Sequence, residues 1–233
     1  MDAAKEEASP AAPSKQGTPI PAARATGRSL AKASRRAAML DAAASLFAER
    51  GYNGVSIEEL GAAAGVSGPA VYRHFSGKPA VLSALLVGVS EDLLEGGKAV
   101  MAESATAEAA LRGLVEFQVD FALRQANVIR VQDRDLNSLP AEDERTVRSL
   151  QRQYVEVWVD ALSALHPDCG LPLLRHRAQA VFGLINSTSH TLFGKMRPRE
   201  TARLRSLLEP MAWAALNASY SEPTPSSRKT CCD

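Results

Sequence analysis

Cysteine is scarce in this sequence, with only three among 233 residues. Two of them, Cys231 and Cys232, lie in a polar C-terminal segment, and the third is Cys169. Such a small, odd set cannot build the disulfide framework that stabilises many small secreted domains. The cysteine content therefore fits a reducing compartment.

Long apolar runs are lacking as well. The longest apolar stretch, residues 80–89, is far shorter than the ~20 residues that a membrane span needs. The N-terminus carries Asp2, Glu6 and Glu7 without a continuous apolar run, so it does not resemble a signal peptide. We therefore expect a soluble, cytoplasmic protein that has no membrane partner.

Motifs for catalysis are also missing. The sequence has no glycine-rich phosphate loop and no nucleophile elbow, because the Gly-Val-Ser at 65–67 continues with Gly-Pro. The four histidines do not have the spacing of a metal-binding helix. We therefore expect no catalytic residue, no metal and no cofactor, and we interpret the chain as a non-enzyme.

Helical periodicity is what the sequence does contain. Hydrophobic residues make up 45% and aromatic residues only 5%, and alanine, the best helix former, is abundant. No stretch alternates as a strand does, which predicts an all-α fold of about nine helices. The predicted helices begin near Ser34, Ser56, Ser67, Lys78, Thr106, Val128, Pro140, Pro172 and Arg199, and they end near Arg50, Gly65, Phe75, Leu94, Arg124, Leu136, Leu165, Phe193 and Ser219.

Residues 51–78, GYNGVSIEELGAAAGVSGPAVYRHFSGK, predict a helix, a tight turn and a second short helix. Ser56 and Glu59 form a capping-box signature at the start of the first helix, and Gly65 ends it. The second helix begins with small residues, which let a helix approach base edges in the major groove. This pattern is typical of a helix-turn-helix.

Three parts of this segment match a known motif position by position: Gly-Val-Ser at 65–67, Tyr-Arg-His-Phe at 72–75, and Lys78. On these residues the chain resembles the TetR (TetR/AcrR) family of transcriptional repressors from Arg35 to about Leu86. The resemblance implies a three-helix DNA-binding domain followed by a helical ligand-binding and dimerisation domain. The DNA-binding residues that it implies are Ser56, Ser67, Gly68, Pro69, Ala70, Tyr72, Arg73, His74 and Lys78.

Some of these side chains have alternative interpretations. We expect Tyr72 to place its ring on the core and its hydroxyl near a phosphate. Arg73 is expected on the surface, where it contacts DNA or is a solvated charge. His74 either contacts DNA or bonds the backbone, and Val71 and Phe75 are expected in the core.

The termini differ in composition from the rest of the chain. Residues 1–30 are mostly Ala, Pro, Ser and Gly, which predicts disorder. Six basic residues and no acidic one lie between Glu7 and Asp41, so this segment is either a solvated tail or a basic arm that contacts DNA. The predicted divisions are a tail at 1–30, a helix-turn-helix domain at 31–77, a ligand-binding and dimerisation domain at 78–220, and a disordered tail at 221–233.

In the C-terminal region, the resemblance implies that the last two long helices pair with those of a second copy; a purely intramolecular core is the alternative. We also expect an apolar cavity, with Asn186 and His190 one helical turn apart as its polar groups, or else bonded across the dimer interface. The predicted ligand-binding residues are Phe117, Phe121, Trp158, Phe182, Asn186 and His190, with Val131 and Phe193 as further apolar candidates.

Two more segments, FGLINSTSH and RDLNSLP, resemble a branch of the family that is associated with acyl-thioester metabolism. The function implied is a homodimeric repressor that binds a (pseudo)palindromic operator and is released by a small, mostly apolar effector, such as a fatty acid or an acyl-coenzyme A thioester. The alternative is a helical adaptor for other proteins without specific DNA binding. Because the net charge is only +1, a DNA surface must come from local clustering, and the basic recognition segment favours the regulator.

Overall fold

A computed structural model describes residues 27–191 and 196–219, with side chains from residue 30 onward. Within these ranges the chain is all helical and has no strand, which confirms the predicted fold class. None of the described helices is long and apolar enough to cross a membrane. The α-helices are α1 (Gly27–Arg50), α2 (Ile57–Ala63), α3 (Gly68–Val71), α4 (Lys78–Glu103), α5 (Ala107–Arg124), α6 (Ala126–Asp135), α7 (Ala141–Leu165), α8 (Leu171–Asn186) and α9 (Pro198–Leu216). Short 3-10 helices, Leu136–Ser138 and Ser187–His190, follow α6 and α8.

The first helix begins earlier than predicted. α1 starts at Gly27 rather than Ser34, so residues 27–30, assigned to the disordered tail, are helical. Residues 30–38 are exposed and bury no apolar face, which is why a prediction from periodicity missed them. Their Ala, Leu, Lys and Arg content still favours a helix. The rest of the predicted N-terminal tail (1–26) and the C-terminal tail (221–233) lie outside the described residues.

The fourth helix is longer than predicted and ends at Glu103 instead of Leu94. Gly96 and Gly97, which follow the predicted end, both lie inside α4. A Cβ atom at Gly97 would lie only 2.6 Å from Cε2 of Tyr154. The glycine pair therefore allows close packing of the neighbouring helices and does not stop the helix.

The eighth helix is shorter than predicted, because α8 ends at Asn186 and the chain continues as a 3-10 helix. The hydroxyls of Ser187 and Thr188 donate to the carbonyls of Leu184 and Ile185 at 2.7 and 2.9 Å. Such local side-chain bonds compete with the helical pattern. The prediction that Asn186 and His190 lie one turn apart on a single α-helix was therefore wrong.

The buried apolar residues form two clusters. The N-terminal core joins α1–α4 and also takes in Val131 of α6 and Val147 of α7. The C-terminal core joins α4–α9 around Trp158. α4 belongs to both, since Leu82 lies in the first core and Leu94 in the second. The domain boundary at 77/78 stays a prediction, and the N-terminal core extends past it along the chain.

Candidate functional site

The turn between α2 and α3 is built from local contacts. Ser56 Oγ accepts the backbone N–H of Glu59 at 3.2 Å, and the Glu59 carboxylate accepts that of Ser56 at 2.8 Å, which completes the capping box. Gly65 has φ +69°, a left-handed conformation that suits glycine at the end of a helix. A Cβ atom at Gly61 would lie 3.1 Å from the backbone N of Gly68, so α2 and the start of α3 pack very closely.

The predicted DNA-binding residues differ in their exposure. Ser56, Ser67, Pro69, Tyr72 and Arg73 are exposed, while Gly68, Ala70, His74 and Lys78 are half-buried. Val71 and Phe75 are buried in the N-terminal core, as expected from the sequence. The α-helical part ends at Val71, and residues 72–74 form a turn. This recognition segment, residues 67–75, thus anchors two apolar side chains and presents small and polar ones to solvent.

Two side chains of the recognition segment depart from the sequence interpretation. The expectation that the Tyr72 ring packs on the core was wrong, because Tyr72 is 56% exposed. Val71 and Phe75 occupy the side that faces the core, and Tyr72 follows Val71 by about 100° around the helix axis. His74 Nδ1 is buried and has no hydrogen-bond partner among the described residues, so that nitrogen does not make the backbone bond that was one of the two alternatives for this side chain.

Lys78, which is predicted to contact a phosphate, makes bonds within the protein in the described conformation. Its Nζ donates to the backbone carbonyls of Tyr52 and Val55 at 3.0 and 2.9 Å. The same ammonium lies 4.5 Å from the centre of the Tyr52 ring, in a cation–π contact. These contacts hold Lys78 against the turn between α1 and α2. In the described conformation Lys78 therefore fixes this turn with its ammonium facing the protein, and its contact with a DNA phosphate stays a prediction.

A second basic group lies on α1 beside the recognition segment. Lys32, Arg35 and Arg36 are all exposed. The Arg36 guanidinium carbon lies 5.1 Å from the centre of the Phe75 ring, which connects α1 to the end of the recognition segment. The exposed Arg73 and these three residues therefore provide a local positive charge that the net charge of the chain does not reveal.

A cavity of about 350 Å³ lies between α4, α5, α6, α7 and α8. Its apolar wall contains Leu93, Phe121, Ile129, Val155 and Phe182. Five side chains form a polar rim, of which Arg148, Arg152 and Gln179 are exposed. The polar rim consists of Gln132, Arg148, Gln151, Arg152 and Gln179. A second cavity of about 290 Å³ adjoins the first and shares Leu93 and Phe121 with it.

The structure brings only some of the predicted ligand-binding residues together. Phe121, Phe182 and Asn186 line the main cavity, and Phe117 lines the adjoining one. Trp158 does not line either cavity: it is fully buried behind Phe182, with ring centres 4.9 Å apart.

His190 and Val131, two further predicted ligand-binding residues, line neither cavity. His190 is on the surface, where Nε2 lies 3.3 Å from the Asp133 carboxylate. Val131 belongs to the N-terminal core, and Phe193 lies outside the described residues. His190 was misplaced because α8 ends before it, and Val131 because the inward face of α6 packs on the DNA-binding helices.

Sequence reasoning missed the polar group in the cavity wall. The Tyr154 hydroxyl donates to Gln118 Oε1 at 3.0 Å, and Gln118 Nε2 donates to Asn186 Oδ1 at 3.0 Å. Gln118 is only 2% and Tyr154 only 5% exposed, and burial raises the pKa of the Tyr154 hydroxyl far above its usual range. One feature of the sequence indicates this polar group: Gln118 interrupts the apolar stripe of α5 between Leu114 and Ala122.

The end of α6 connects the cavity to α1 and to the turn between α1 and α2. Ile129 of α6 lines the cavity, and six residues later Asp135 accepts the backbone N–H of Tyr52 at 3.3 Å. Arg134 forms an ion pair with Asp135 at 3.0 Å and donates to the carbonyl of Phe47 near the end of α1, which also accepts the backbone N–H of Gly51. This α6 bridge, Arg134 and Asp135, thus binds the backbone of the turn that Lys78 also holds.

The predicted dimer face is partly exposed. Leu207 and Met211, four residues apart on α9, are 53% and 46% exposed, whereas Leu208 and Leu216 are buried within the chain. The described residues of α9 therefore serve the intramolecular core with one face and present apolar side chains on another.

A helix-turn-helix segment in front of a larger helical region with a cavity defines a class of DNA-binding regulators. The family profile described as "Bacterial regulatory proteins, tetR family" matches residues 39–85, and "Tetracyclin repressor-like, C-terminal domain" matches residues 104–204. The chain belongs to the TetR family of bacterial transcriptional regulators, as the motif had indicated.

Individual relatives agree with this assignment. The chain is 29% identical over 148 residues to the HTH-type transcriptional repressor KstR2 of Rhodococcus jostii, which covers 63% of this chain and 71% of that protein. The crystal structure of a TetR-family regulator from Bordetella parapertussis superimposes with a TM-score of 0.68 at 24% identity, covering 78% and 94% of the two chains. Bacillus subtilis FadR in complex with stearoyl-CoA gives a TM-score of 0.59 at 19% identity, covering 79% and 99%. These structural likenesses support the fold.

Proposed function

We propose that this chain is a repressor that binds a (pseudo)palindromic operator as a homodimer in the cytoplasm and is released by a small, mostly apolar effector. The observation that carries the proposal is the position of α6, which lines the cavity at Ile129 and binds the DNA-binding helices through the α6 bridge. A ligand that changes α6 therefore has a short route to the recognition segment.

On the DNA side, Tyr72 and Arg73 are the exposed side chains best suited to reach bases and phosphates. The planar fork of Arg73 matches the two acceptors of guanine, and the small residues Ser67 to Ala70 allow close approach. We assign the contact with DNA to these residues, to Ser56 and to His74. Lys78 is assigned a supporting role.

A dimer places two recognition segments in successive major grooves, roughly 34–36 Å apart. The exposed Leu207 and Met211 on α9 supply an apolar surface for pairing of α8 and α9 with a second copy. Contiguous exposed apolar surface is a mark of protein–protein interfaces, and these two side chains lie one helical turn apart on the same face of α9.

On the effector side, an apolar wall and a rim with two arginines suit a ligand with a hydrocarbon body and an anionic end. Arg148 pairs with Glu144 at 2.8 Å, whereas Arg152 makes no ion pair among the described residues, so the charge of Arg152 is the one available to such an end. Fatty acids and acyl-coenzyme A thioesters have this chemistry, and the FadR neighbour was crystallised with stearoyl-CoA. Phe117, Phe121, Phe182 and Asn186 are the candidate contacts that we retain.

The test is a mobility-shift assay with DNA from upstream of the chain's own gene. We expect a specific complex for the wild type, its loss in Arg73→Ala and Tyr72→Ala, and release by stearic acid or stearoyl-CoA. Arg145→Ala, which removes an exposed arginine of α7, is the control and should bind as the wild type does. Native DNA affinity in Arg73→Ala would contradict the placement of the recognition segment.

A further inference from the structure

Three polar side chains from three helices meet in the wall of the main cavity. We call them the amide relay: Tyr154 of α7, Gln118 of α5 and Asn186 of α8. Their surroundings are otherwise apolar, because Tyr154 stacks on Phe182 with ring centres 5.5 Å apart, and Gln118 lies between apolar turns of α5. Burying such groups costs free energy unless every one is hydrogen-bonded.

The relay has a direction. Tyr154 is buried, and the only acceptor for its hydroxyl proton among the described residues is Gln118 Oε1. With that oxygen fixed as the acceptor, Gln118 Nε2 must point the other way, where it donates to Asn186 Oδ1. The orientation of both amides follows, since the oxygen of Asn186 is used and its Nδ2 remains.

The relay therefore ends in unused donors at the cavity. Asn186 lines the cavity, and its Nδ2 group has no acceptor among the described residues. The Nδ2 group carries two N–H donors, which a ligand can satisfy only with an acceptor oxygen. An unsubstituted hydrocarbon chain placed at this point would leave the donors unpaired, at a cost in affinity.

The relay is separate from the charged part of the cavity. Arg148 and Tyr154 are six residues apart on α7, which places them about 9 Å apart along the helix axis. Arg152 is only two residues from Tyr154, but it leaves α7 about 200° away from it around the helix axis and is exposed at the rim. An anionic group that pairs with these rim arginines is thus distinct from an oxygen at Asn186, and a ligand that meets both carries an apolar part between them.

We propose that the amide relay selects effectors with a carbonyl oxygen inside their apolar part, remote from the anionic end. This rests on the proposed function and narrows the effector class from apolar acids or thioesters to oxo-substituted ones. Asn186 is the direct contact. Gln118 and Tyr154 are positioning residues, which hold the Asn186 amide so that its donors face the ligand.

Fluorescence of Trp158 can report the binding of defined probes. The chain has two tryptophans, and Trp213→Phe leaves only Trp158, which packs on the cavity residue Phe182. The probes are stearic acid, a set of oxostearic acids with the ketone at successive mid-chain positions, and the matching hydroxystearic acids. We expect the best oxostearic acid to bind the Trp213→Phe protein about tenfold more tightly than stearic acid, as one well-placed hydrogen bond allows.

Asn186→Asp in the Trp213→Phe background is the decisive variant. A carboxylate at 186 still accepts from Gln118 but replaces the free donors with an acceptor. The preference for the ketone should disappear, and only hydroxystearic acid, which can donate, should be preferred over stearic acid. Gln153→Glu, a change at an exposed glutamine of α7 that does not line the cavity, should leave the ketone preference unchanged.

A second variant keeps the test valid if Asn186→Asp does not fold, as judged by its thermal melt. Tyr154→Phe retains the ring stack on Phe182 but removes the hydroxyl that orients Gln118, so the ketone preference should fall to within threefold. Equal binding of stearic and oxostearic acids by the Trp213→Phe protein would overturn the relay proposal and leave the proposed function standing. Failure of every probe to bind would overturn both, and an unaltered ketone preference in Asn186→Asp or Tyr154→Phe would overturn the relay proposal alone.

Discussion

The two cores of the molecule use their polar groups in opposite ways. Around the N-terminal core, Lys78, Arg134 and Asp135 all bind backbone groups in residues 47–55. In the C-terminal core, Tyr154 and Gln118 bind other side chains beside a cavity. Backbone-directed bonds fix the shape of a turn, whereas a side-chain relay at a cavity leaves donors available to a ligand.

This difference indicates that the two cores have different roles within one chain. The N-terminal core carries the recognition segment, and charged side chains of α4 and α6 bind the backbone of the turn between α1 and α2 that precedes it. The C-terminal core needs room and unused hydrogen-bonding capacity, which a fully closed core does not provide. Each of these polar groups should therefore affect either the stability of the N-terminal turn or the response to a ligand, and single variants can distinguish the two effects.

The largest expected effect concerns Lys78, the first residue of α4, which binds the turn between α1 and α2. Lys78→Met keeps the aliphatic stem but leaves the carbonyls of Tyr52 and Val55 without their charged donor, so we expect a loss of about 2 kcal/mol in the free energy of unfolding. The measurement is denaturant unfolding followed by circular dichroism. Lys98→Met, at an exposed lysine of the same helix, should be nearly neutral.

The same variant separates the structural role from the one expected from the sequence. If Lys78 binds a phosphate, Lys78→Met should retain stability and lower the slope of log affinity against log salt by about one. That result would show that Lys78 does not stabilise the turn between α1 and α2.

The next effect should appear in the cavity. Phe121 lines both cavities, and Phe121→Trp adds volume where we place the effector. We expect at least tenfold more effector, stearoyl-CoA in the first instance, to be needed for release from DNA, with unchanged DNA affinity in its absence. Phe117→Trp changes only the adjoining cavity and should have the smaller effect. A normal response in both variants would place the effector elsewhere.

A smaller effect is expected where the two cores meet. Asp135→Ala leaves the N–H of Tyr52 unpaired and releases Arg134, which weakens the link between α6 and the DNA-binding helices. Coupling through such contacts is typically worth about 0.5–2 kcal/mol, so the effector concentration for half release should rise by about fivefold. Asp133→Ala, two residues away and paired with the surface His190, is the matched control. Equal shifts in the two variants would show that the α6 bridge carries no special coupling.

The two cores also differ in how well the sequence predicted them. The recognition segment is determined by neighbours along the chain, namely the Ser56–Glu59 box, Gly65 and the spacing of Val71 and Phe75, so its fold was predictable from local pattern. The contact of Lys78 with Tyr52 joins residues 26 positions apart, and a motif at 78 does not reveal it.

Long-range contacts also explain the errors in the cavity. Trp158 and Phe182 are both aromatic residues on amphipathic helices, and only the packing of α7 on α8 decides that one lines the cavity while the other lies behind it. The amide relay joins residues 36 and 68 positions apart. Composition and periodicity cannot predict such a partner, although Gln118 on an apolar stripe marked one end of it.

The smallest expected effect tests the most local contact of the N-terminal domain. The Glu59 carboxylate accepts the backbone N–H of Ser56 and pairs with Arg50 at 2.6 Å, and these bonds, the backbone one foremost, lower its pKa from 4.5 to about 2. A carboxylate whose pKa is lowered on folding stabilises the fold at pH values above its pKa in the unfolded chain. This contribution is lost as the pH falls through its pKa in the folded protein.

Glu59→Gln can keep the backbone bond without the charge. The gap in melting temperature between wild type and Glu59→Gln should therefore be constant near neutral pH and shrink as pH falls from 4.5 toward about 2. Glu58→Gln, at the exposed neighbour that makes no hydrogen bond among the described residues, should show no such gap. A gap that persists at the lowest pH would mean that the charge of Glu59 is not what the capping box uses.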